Sequence, residues 1–370
     1  MPRVTFPHMG ESYRAFKMLL EDLGNEVILP PRPSKRTLDY GVQYAPEFAC
    51  FPLKVLMGTY VETCQMGAEI IVTSGGVGPC RAGQYGQVHK KILHHIGYPV
   101  ELIVFEPPLL HPVDFLRNIR RLNRARLSYR AVWECIKRGW RKLQALDRIE
   151  ALTHVIRPRE VQKGSTSKTY RRVLNYLDQA TTIDQIAQAE AAALAELQAL
   201  PQDKERPVLK VGLVGEIYVL LEPASNLEIE ETLGHLGVEV DRSMYLTGWT
   251  RDNTISHTSI TQQVHQAARP FIPLCIGGHG RETVGHTIVY AQHGYDGVIQ
   301  LAPFTCIPEI VAKTVLTSVS ARYNIPVLTF FLDEQTGKAG MTTRLEAFVD
   351  LMRRKKWPAL SVASQPAAAM

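Results

Sequence analysis

The stretch "DGVIQLAPFTCIPEIVAKTV", residues 296–315, decides the fold, because a short apolar run leads directly into a helical one. The near-continuous apolar residues 297–303 indicate a strand that is buried on both faces. Pro308 marks the first turn of the helix that follows, where a missing amide hydrogen costs nothing. A buried strand followed at once by a helix is typical of a parallel sheet covered by helices, so we predict an α/β fold.

Similar pairs of a strand and a helix recur in the N-terminal and the C-terminal parts of the chain. The apolar runs VTFP, EVILPP, EIIVTSGG and VELIVFEPP alternate with amphipathic runs as far as residue 105, and the alternation resumes at residue 207. Residues 109–206 hold no comparable strand and are rich in helix formers near 183–200. We therefore predict two doubly wound parallel-sheet domains, 1–108 and 207–356, joined by a helical segment with its linker, 109–206, and a flexible tail, 357–370. FIPLCIGG, residues 271–278, is predicted to be a further strand.

The composition, with 45% hydrophobic and 21% charged residues in 370, is that of a globular protein and excludes a disordered chain. The N-terminus lacks a signal peptide and no apolar stretch is long enough to span a bilayer, so we expect a cytoplasmic protein with no membrane partner. The net charge of +6 comes from one region of the chain, because residues 117–148 contain eleven Arg or Lys and only two Asp or Glu. That stretch either steers an acidic partner or a phosphate group, or is a solvated helix face; it does not predict nucleic-acid binding.

Six cysteines do not indicate a disulfide framework here. Cys80 and Cys306 each follow a predicted strand, at the sheet edge where ligands bind, and Cys50 precedes a helix that opens at Pro52. A helix N-terminus favours a thiolate or an iron–sulfur cluster, and three thiolates would hold three irons of a [4Fe-4S] cubane. Position alone leaves both a cluster and buried, inert thiols open. The other cysteines are expected in the core, with a ligand role as the alternative for the last of them: Cys64, Cys135 and Cys275.

The motifs EFACFPLK, SGGVGPCRAGQYG, GEIYVLLEP, GGHGRETVGHT and DGVIQLAPFTCIPE together resemble the acyl-CoA dehydratase activase-related proteins. These belong to the superfamily of 2-hydroxyacyl-CoA dehydratase and benzoyl-CoA reductase subunits, which includes the double-cubane cluster proteins. The resemblance implies two flavodoxin-like domains with a cluster between them, and its ligands fall on Cys50, Cys80 and Cys306. We expect a single [4Fe-4S] cluster, because a double cubane would have to recruit Cys64, Cys135 or Cys275.

The resemblance implies an oxygen-sensitive protein that accepts low-potential electrons from a separate iron–sulfur ATPase activator protein. It would then reduce or dehydrate a small-molecule or acyl-CoA substrate, and it would act as a dimer. The sequence has no G-x-x-x-x-G-K-[ST] loop, so ATP binding is expected in the partner only. Two alternatives stay open: a non-catalytic cluster-carrying scaffold or electron-transfer subunit of a larger activase-type complex, and a nucleotide-binding α/β protein with buried cysteines.

The residues near the cysteines supply the candidate chemistry. Catalytic candidates are Arg81, beside Cys80, and His279 and Glu282 in the glycine-rich turn 277–286, with Arg281 as a further anion contact. Glu216 occupies the equivalent edge of the second domain. Gln84 and Tyr85 either tune a cluster or face solvent, and for Tyr85 we favour solvent. Lys54 in a first helical turn indicates a nearby anion, whereas Glu309 suits the dipole of its helix.

Overall fold

Two four-stranded sheets, both wholly parallel, form the framework of the protein. The computed structural model describes residues 2–76, 79–106, 108, 111–254 and 259–358. The first sheet contains β1 (Arg3–Thr5), β2 (Glu26–Val27), β3 (Ile70–Ser74) and β4 (Glu101–Phe105), in the order β2-β1-β3-β4. The second contains β5 (Leu209–Gly215), β6 (Val238–Arg242), β7 (Gly297–Pro303) and β8 (Val327–Leu332), in the order β6-β5-β7-β8. The shared order confirms the predicted α/β fold with two flavodoxin-like domains.

Helices connect the strands and cover the sheets. The first domain contains α1 (Tyr13–Asp22), α2 (Lys35–Tyr44), α3 (Phe51–Gln65) and α4 (Tyr85–His95), with a 3-10 turn at Arg81–Gln84. Between the sheets in sequence lie α5 (Pro112–Leu122), α6 (Tyr129–Ile156), α7 (Ser165–Gln179) and α8 (Ile183–Gln198). The second domain contains α9 (Ile217–Leu221), α10 (Ile229–His235), α11 (Leu246–Thr254), α12 (Ser259–Ala268), α13 (Gly280–Gln292), α14 (Ile307–Tyr323) and α15 (Lys338–Lys356). Within the described ranges no helix has the length and apolar character to cross a membrane.

Helix α3 is buried from Phe51 to Cys64 because nearly all of its residues are apolar or small. Its side chains share one hydrophobic core with residues of the second sheet, among them Val211 and Ile299. It also packs tightly on α2, since a Cβ on Gly58 would lie 1.8 Å from the Thr37 carbonyl oxygen. The two sheets are therefore held together by a common core, while the exact domain boundaries stay a prediction.

The strand order reverses between β1 and β3 in the first sheet and between β5 and β7 in the second, and such reversals open a crevice at the carboxyl ends of the strands. Cys80 follows β3 and Cys306 follows β7, so they occupy equivalent positions. The chain after β1 reaches the second domain at this edge. There Glu222 accepts hydrogen bonds from His8 Nδ1 at 2.6 Å and from the Gly10 amide at 2.9 Å.

The predicted strand FIPLCIGG is wrong, because the structure has irregular chain between α12 and α13 at these residues. Pro270 and Pro273 remove two amide donors that a strand would need for its ladder. Ile272 is buried, but Cys275 is exposed, so its placement in the core was also wrong. Most of the predicted flexible tail, residues 359–370, lies outside the described residues.

Candidate functional site

Three cysteines begin helical turns, each as the N-cap residue in extended conformation. Cys50 precedes α3, Cys80 precedes the turn Arg81–Gln84, and Cys306 precedes α14. Proline is the second residue of α3 and of α14, as the sequence predicted. None of the three side chains caps its helix by a hydrogen bond. The free amides of three helical turns therefore lie beside the three thiols.

Arg81 joins the three cysteine loops. Its Nη1 donates to the carbonyl oxygen of Phe48 at 2.9 Å, two residues before Cys50. Its Nη2 donates to the carbonyl oxygen of Thr305, the residue before Cys306, and contacts the Thr305 hydroxyl at 3.5 Å. Because Arg81 itself follows Cys80, one guanidinium holds the loops of all three predicted ligands together.

Glu216 acts electrostatically on the same thiols. It is the N-cap of α9, where its carboxylate accepts from the amides of Tyr218 and Val219 at 3.0 and 3.2 Å. Burial raises the pKa of Glu216 to about 7. Burial is also the main reason that the pKa of each of the three thiols is raised, and the charge of Glu216 raises all three further. One carboxyl is thus within electrostatic reach of every predicted ligand.

Tyr85 contacts the cysteine site directly, contrary to the expectation that it faces solvent. Its hydroxyl is hydrogen-bonded to the sulfur of Cys50. Burial raises the pKa of Tyr85 well above its ordinary value, and the nearby Cys50 and Glu216 raise it further. Tyr85 therefore stays protonated and is able to donate to a Cys50 thiolate. Gln84, by contrast, is exposed.

The anion predicted near Lys54 is a carboxylate of the protein. Lys54 is buried, and its Nζ lies 2.9 Å from Oε1 of Glu334, in the chain after β8. This ion pair joins α3 to the second domain. Lys54 therefore gives no independent support for a bound anionic group.

Glu309, which the sequence explained by the helix dipole, is fully buried behind Cys306. Gln300 Nε2 lies 2.9 Å from its Oε2, and the Thr283 hydroxyl lies 3.1 Å from both carboxyl oxygens. Burial raises the pKa of Glu309 to about 8, so the carboxyl is largely protonated at neutral pH. Gln300 is a polar residue inside the otherwise apolar strand β7. Its presence there could have indicated, from the sequence alone, that a buried polar group such as Glu309 lies nearby.

The glycine-rich turn packs directly on two of the cysteine loops. Gly277 and Gly278 both have positive φ, of 79° and 52°. A Cβ on Gly277 would lie 2.8 Å from the Cys80 amide nitrogen, and one on Gly278 would lie 3.0 Å from the Pro308 ring. Side chains are excluded here by space as well as by backbone conformation. The turn therefore lies over Cys80 and the start of α14.

A cavity of about 590 Å³ adjoins this turn. Its lining includes Gly278 together with polar and aromatic side chains from α6, α11, α12 and α13. The predicted site residues His279 and Glu282 both lie on this lining, with His286 one helical turn beyond Glu282. The cavity thus brings acid–base side chains to the edge of the Cys80 loop.

Each predicted acid–base group has a partner that the sequence did not indicate. Glu282 Oε1 lies 2.7 Å from His265 Nε2, and Trp249 Nε1 donates to His279 Nε2 at 3.2 Å. Burial alone would raise the pKa of Glu282, but the hydrogen bond to His265 lowers it overall. Burial lowers the pKa of His279 and lowers that of His286 to about 4. Both imidazoles are therefore neutral at pH 7.

Because an indole nitrogen only donates, His279 Nε2 accepts, and the proton of the neutral ring lies on Nδ1. The Nδ1 atom of His279 is buried and has no hydrogen-bond partner among the described residues. A ligand atom that accepts hydrogen bonds would satisfy it. Arg281, the other predicted anion contact, instead donates to the His265 carbonyl oxygen at 3.4 Å.

Among the described residues, one group has ligand atoms close enough together to hold a single metal ion: Glu150, His154 and Glu230. Arg242 lies between the two carboxylates, with Nη1 at 3.3 Å from Glu230 and Nη2 bonded to Glu150. The guanidinium of Arg242 therefore already supplies a positive charge to these carboxylates. It is a buried ion-pair network that joins α6 to the second sheet.

Comparison with known protein families gives a match for the start of the chain. Residues 1–73 match a family model described as the CoA enzyme activase uncharacterised domain, which supports an activase-related family for this part of the chain. No curated protein matches. The matched residues contain Cys50 but end before Cys80 and Cys306. The similarity therefore bears on the first of the three cysteine loops.

Proposed function

We propose that this chain is an iron–sulfur protein in which Cys50, Cys80 and Cys306 hold a [4Fe-4S] cluster. It would accept low-potential electrons from a separate ATP-hydrolysing iron–sulfur activator, and use them to reduce or dehydrate a small substrate, as 2-hydroxyacyl-CoA dehydratase subunits do. One observation carries the proposal: the Arg81 guanidinium is hydrogen-bonded to the loops of both Cys50 and Cys306 while it follows Cys80 in sequence. The activase-related match over residues 1–73 agrees with it.

The residues present suit such a group. Thiolates are the ligands of iron–sulfur clusters, and the free amides of three helical turns offset the added negative charge. A bound cluster would supply a one-electron carrier with one iron open to a ligand that is not protein. The Tyr85 hydroxyl would donate to a ligating Cys50 thiolate, and Arg81 brings a positive charge, so both favour the more reduced state.

The positions of the other cysteines support a single cluster. Cys64 lies fourteen residues along α3 from Cys50, about 21 Å at the rise of an α-helix. Cys135 is buried in α6 and Cys275 is exposed. A double cubane needs about six thiolates, and these three do not share the helix N-termini of the proposed ligands.

The cavity supports a catalytic role over that of a non-catalytic scaffold or electron-transfer subunit. It adjoins Gly278, whose Cβ position lies 3.8 Å from the Cys80 sulfur. On its wall the Nδ1 proton of His279 has no partner among the residues that the structure describes, and Glu282 forms a pair with His265. We assign the cavity to the substrate, with His279 as the hydrogen-bond donor to a carbonyl oxygen.

The test is electron transfer from the activator. Anaerobically prepared protein is mixed with the ATPase activator of the same organism, and the cluster is followed by low-temperature EPR. We expect a reduced-cluster signal that develops only when ATP is hydrolysed and that Cys306→Ser abolishes. A signal that forms equally well without ATP, or none in either case, contradicts the proposed function.

A further inference from the structure

The positive charge of the chain is concentrated in one helical hairpin. Residues 111–137 contain seven Arg or Lys and two Asp or Glu, a net charge of +5, against +6 for the whole chain. This segment comprises α5, the connection 123–128 and the first two turns of α6. Such asymmetry in an otherwise balanced chain is typical of a surface that meets an acidic partner.

Large apolar side chains project from the same hairpin. Val113 is 66% exposed and Leu116 58%, both on α5, while Tyr129 is 79% exposed and Trp133 58%, one turn apart on α6. The opposite sides of these helices are anchored, because Leu122 and Val132 belong to one buried core cluster. The two helices are therefore packed on the core, and their exposed apolar side chains are not exposed because the core is incomplete.

The basic residues around these apolar side chains divide into two groups. Three basic residues have an acidic neighbour: Arg117 with Asp114, Arg121 with Glu101, and Lys137 with Glu134. Four exposed arginines have no ion pair within the part of the chain that the structure describes: Arg120, Arg124, Arg126 and Arg130. A solvated helix face is usually polar throughout, so exposed aromatic residues between unpaired arginines need another explanation.

We propose that this hairpin is a docking face for an acidic protein, with Trp133 and Tyr129 at the contact and the four exposed arginines around it. Trp, Tyr and Arg are the residues that dominate binding energy at protein interfaces. Six of the seven basic residues are arginine, which pairs with carboxylates through two parallel hydrogen bonds, whereas lysine is depleted at interfaces. This composition favours a protein over a lipid surface, which attracts both residue types through charge.

The test uses a photoreactive side chain at the centre of the face. The full-length chain with p-benzoylphenylalanine at Tyr129 is irradiated in its source cells, and adducts are identified by mass spectrometry. The control places the same probe at Val161, which is 62% exposed and outside the hairpin. We expect one protein adduct of net negative charge that is specific to Tyr129. A lipid or nucleic-acid adduct, a basic protein, or no specific adduct overturns the proposal.

The identified protein is then purified and titrated by calorimetry. We expect Trp133→Ala to raise its Kd at least about tenfold, as removal of a contact hot spot does. The double charge reversal Arg120→Glu with Arg124→Glu should also raise the Kd at least about tenfold. The difference in Kd between this variant and wild type should shrink as the salt concentration is raised. The matched control, Arg269→Glu with Arg354→Glu, changes the net charge equally on other surfaces and should bind as wild type. Equal weakening by the control, or wild-type affinity in the hairpin variants, refutes the docking face.

Discussion

Removal of the Arg81 guanidinium should loosen the site without unfolding the protein. Arg81→Ala deletes the hydrogen bonds to the carbonyl oxygens of Phe48 and Thr305, which belong to the loops of Cys50 and Cys306. The loops themselves stay attached to buried helices, α3 and α14. The variant should therefore keep its fold and lose only the bonds that hold the loops of Cys50 and Cys306 against that of Cys80.

The size of the effect follows from the number of bonds. A hydrogen bond from a charged donor contributes about 1.5–3 kcal/mol, so two would contribute about 3–6 kcal/mol if fully buried. Arg81 is only partly buried, and solvent screening reduces this to about 2–3 kcal/mol. At 1.4 kcal/mol for each factor of ten, retention of bound iron should fall roughly 30- to 150-fold.

The assay is the rate of iron transfer to an excess of chelator under anaerobic conditions, with circular dichroism to confirm the fold. Arg344→Ala is the matched control, because Arg344 also donates to a backbone carbonyl oxygen, that of Thr329 at 2.8 Å, away from the cysteine loops. We expect Arg81→Ala to release iron far faster than wild type and Arg344→Ala to match wild type. If the two variants release iron at the same rate, Arg81 does not hold the ligand loops together.

Two further predictions concern the framework. Glu222→Gln should lower the free energy of unfolding by about 2–3 kcal/mol near pH 7, because His8 and a backbone amide lose a buried carboxylate partner. Burial would raise the pKa of Glu222, but the His8 hydrogen bond lowers it below the ordinary 4.5. The loss of unfolding free energy in Glu222→Gln should therefore be complete above pH 4.5 and shrink as the pH falls further. A deficit that is constant from pH 7 to pH 3 in denaturant titrations would exclude this linkage. Gly58→Ala should lower the free energy of unfolding by about 3 kcal/mol or more, because the new Cβ would meet the Thr37 carbonyl oxygen. Gly340→Ala, with open space around it, should leave that free energy unchanged or raise it in the same titrations. Equal denaturation midpoints for the two variants would contradict the close packing of α2 on α3.

The parallel strands were predictable because they are largely buried on both faces and form near-continuous apolar runs, interrupted only by Lys210 in β5 and Gln300 in β7. The same rule failed at FIPLCIGG, where Pro273 within the run and Pro270 just before it prevent a ladder that the apolar residues alone would suggest. Helix starts at Cys50 and Cys306 were visible from the prolines that follow them. The shared strand order of the two sheets could not be read from the sequence, since it depends on where each crossover helix packs.

The side-chain contacts of the site were beyond sequence reasoning. Arg81 and Thr305 are 224 residues apart, and only the packing of the two sheets brings them within a hydrogen bond. The same holds for Tyr85 with Cys50, and for His265 with Glu282 across two helices. What the sequence does supply is the residue types, at loops that parallel sheets place on one edge. The cluster itself stays a proposal until iron is measured.

The central claim is that Cys50, Cys80 and Cys306 bind one cluster, and iron with acid-labile sulfide in anaerobically purified protein tests it most directly. We predict about four irons and four sulfides per chain for wild type and for Cys135→Ser, whose thiol is buried in α6. Cys306→Ser should lose most of both. Full iron and sulfide in Cys306→Ser, or none in wild type, would contradict the account.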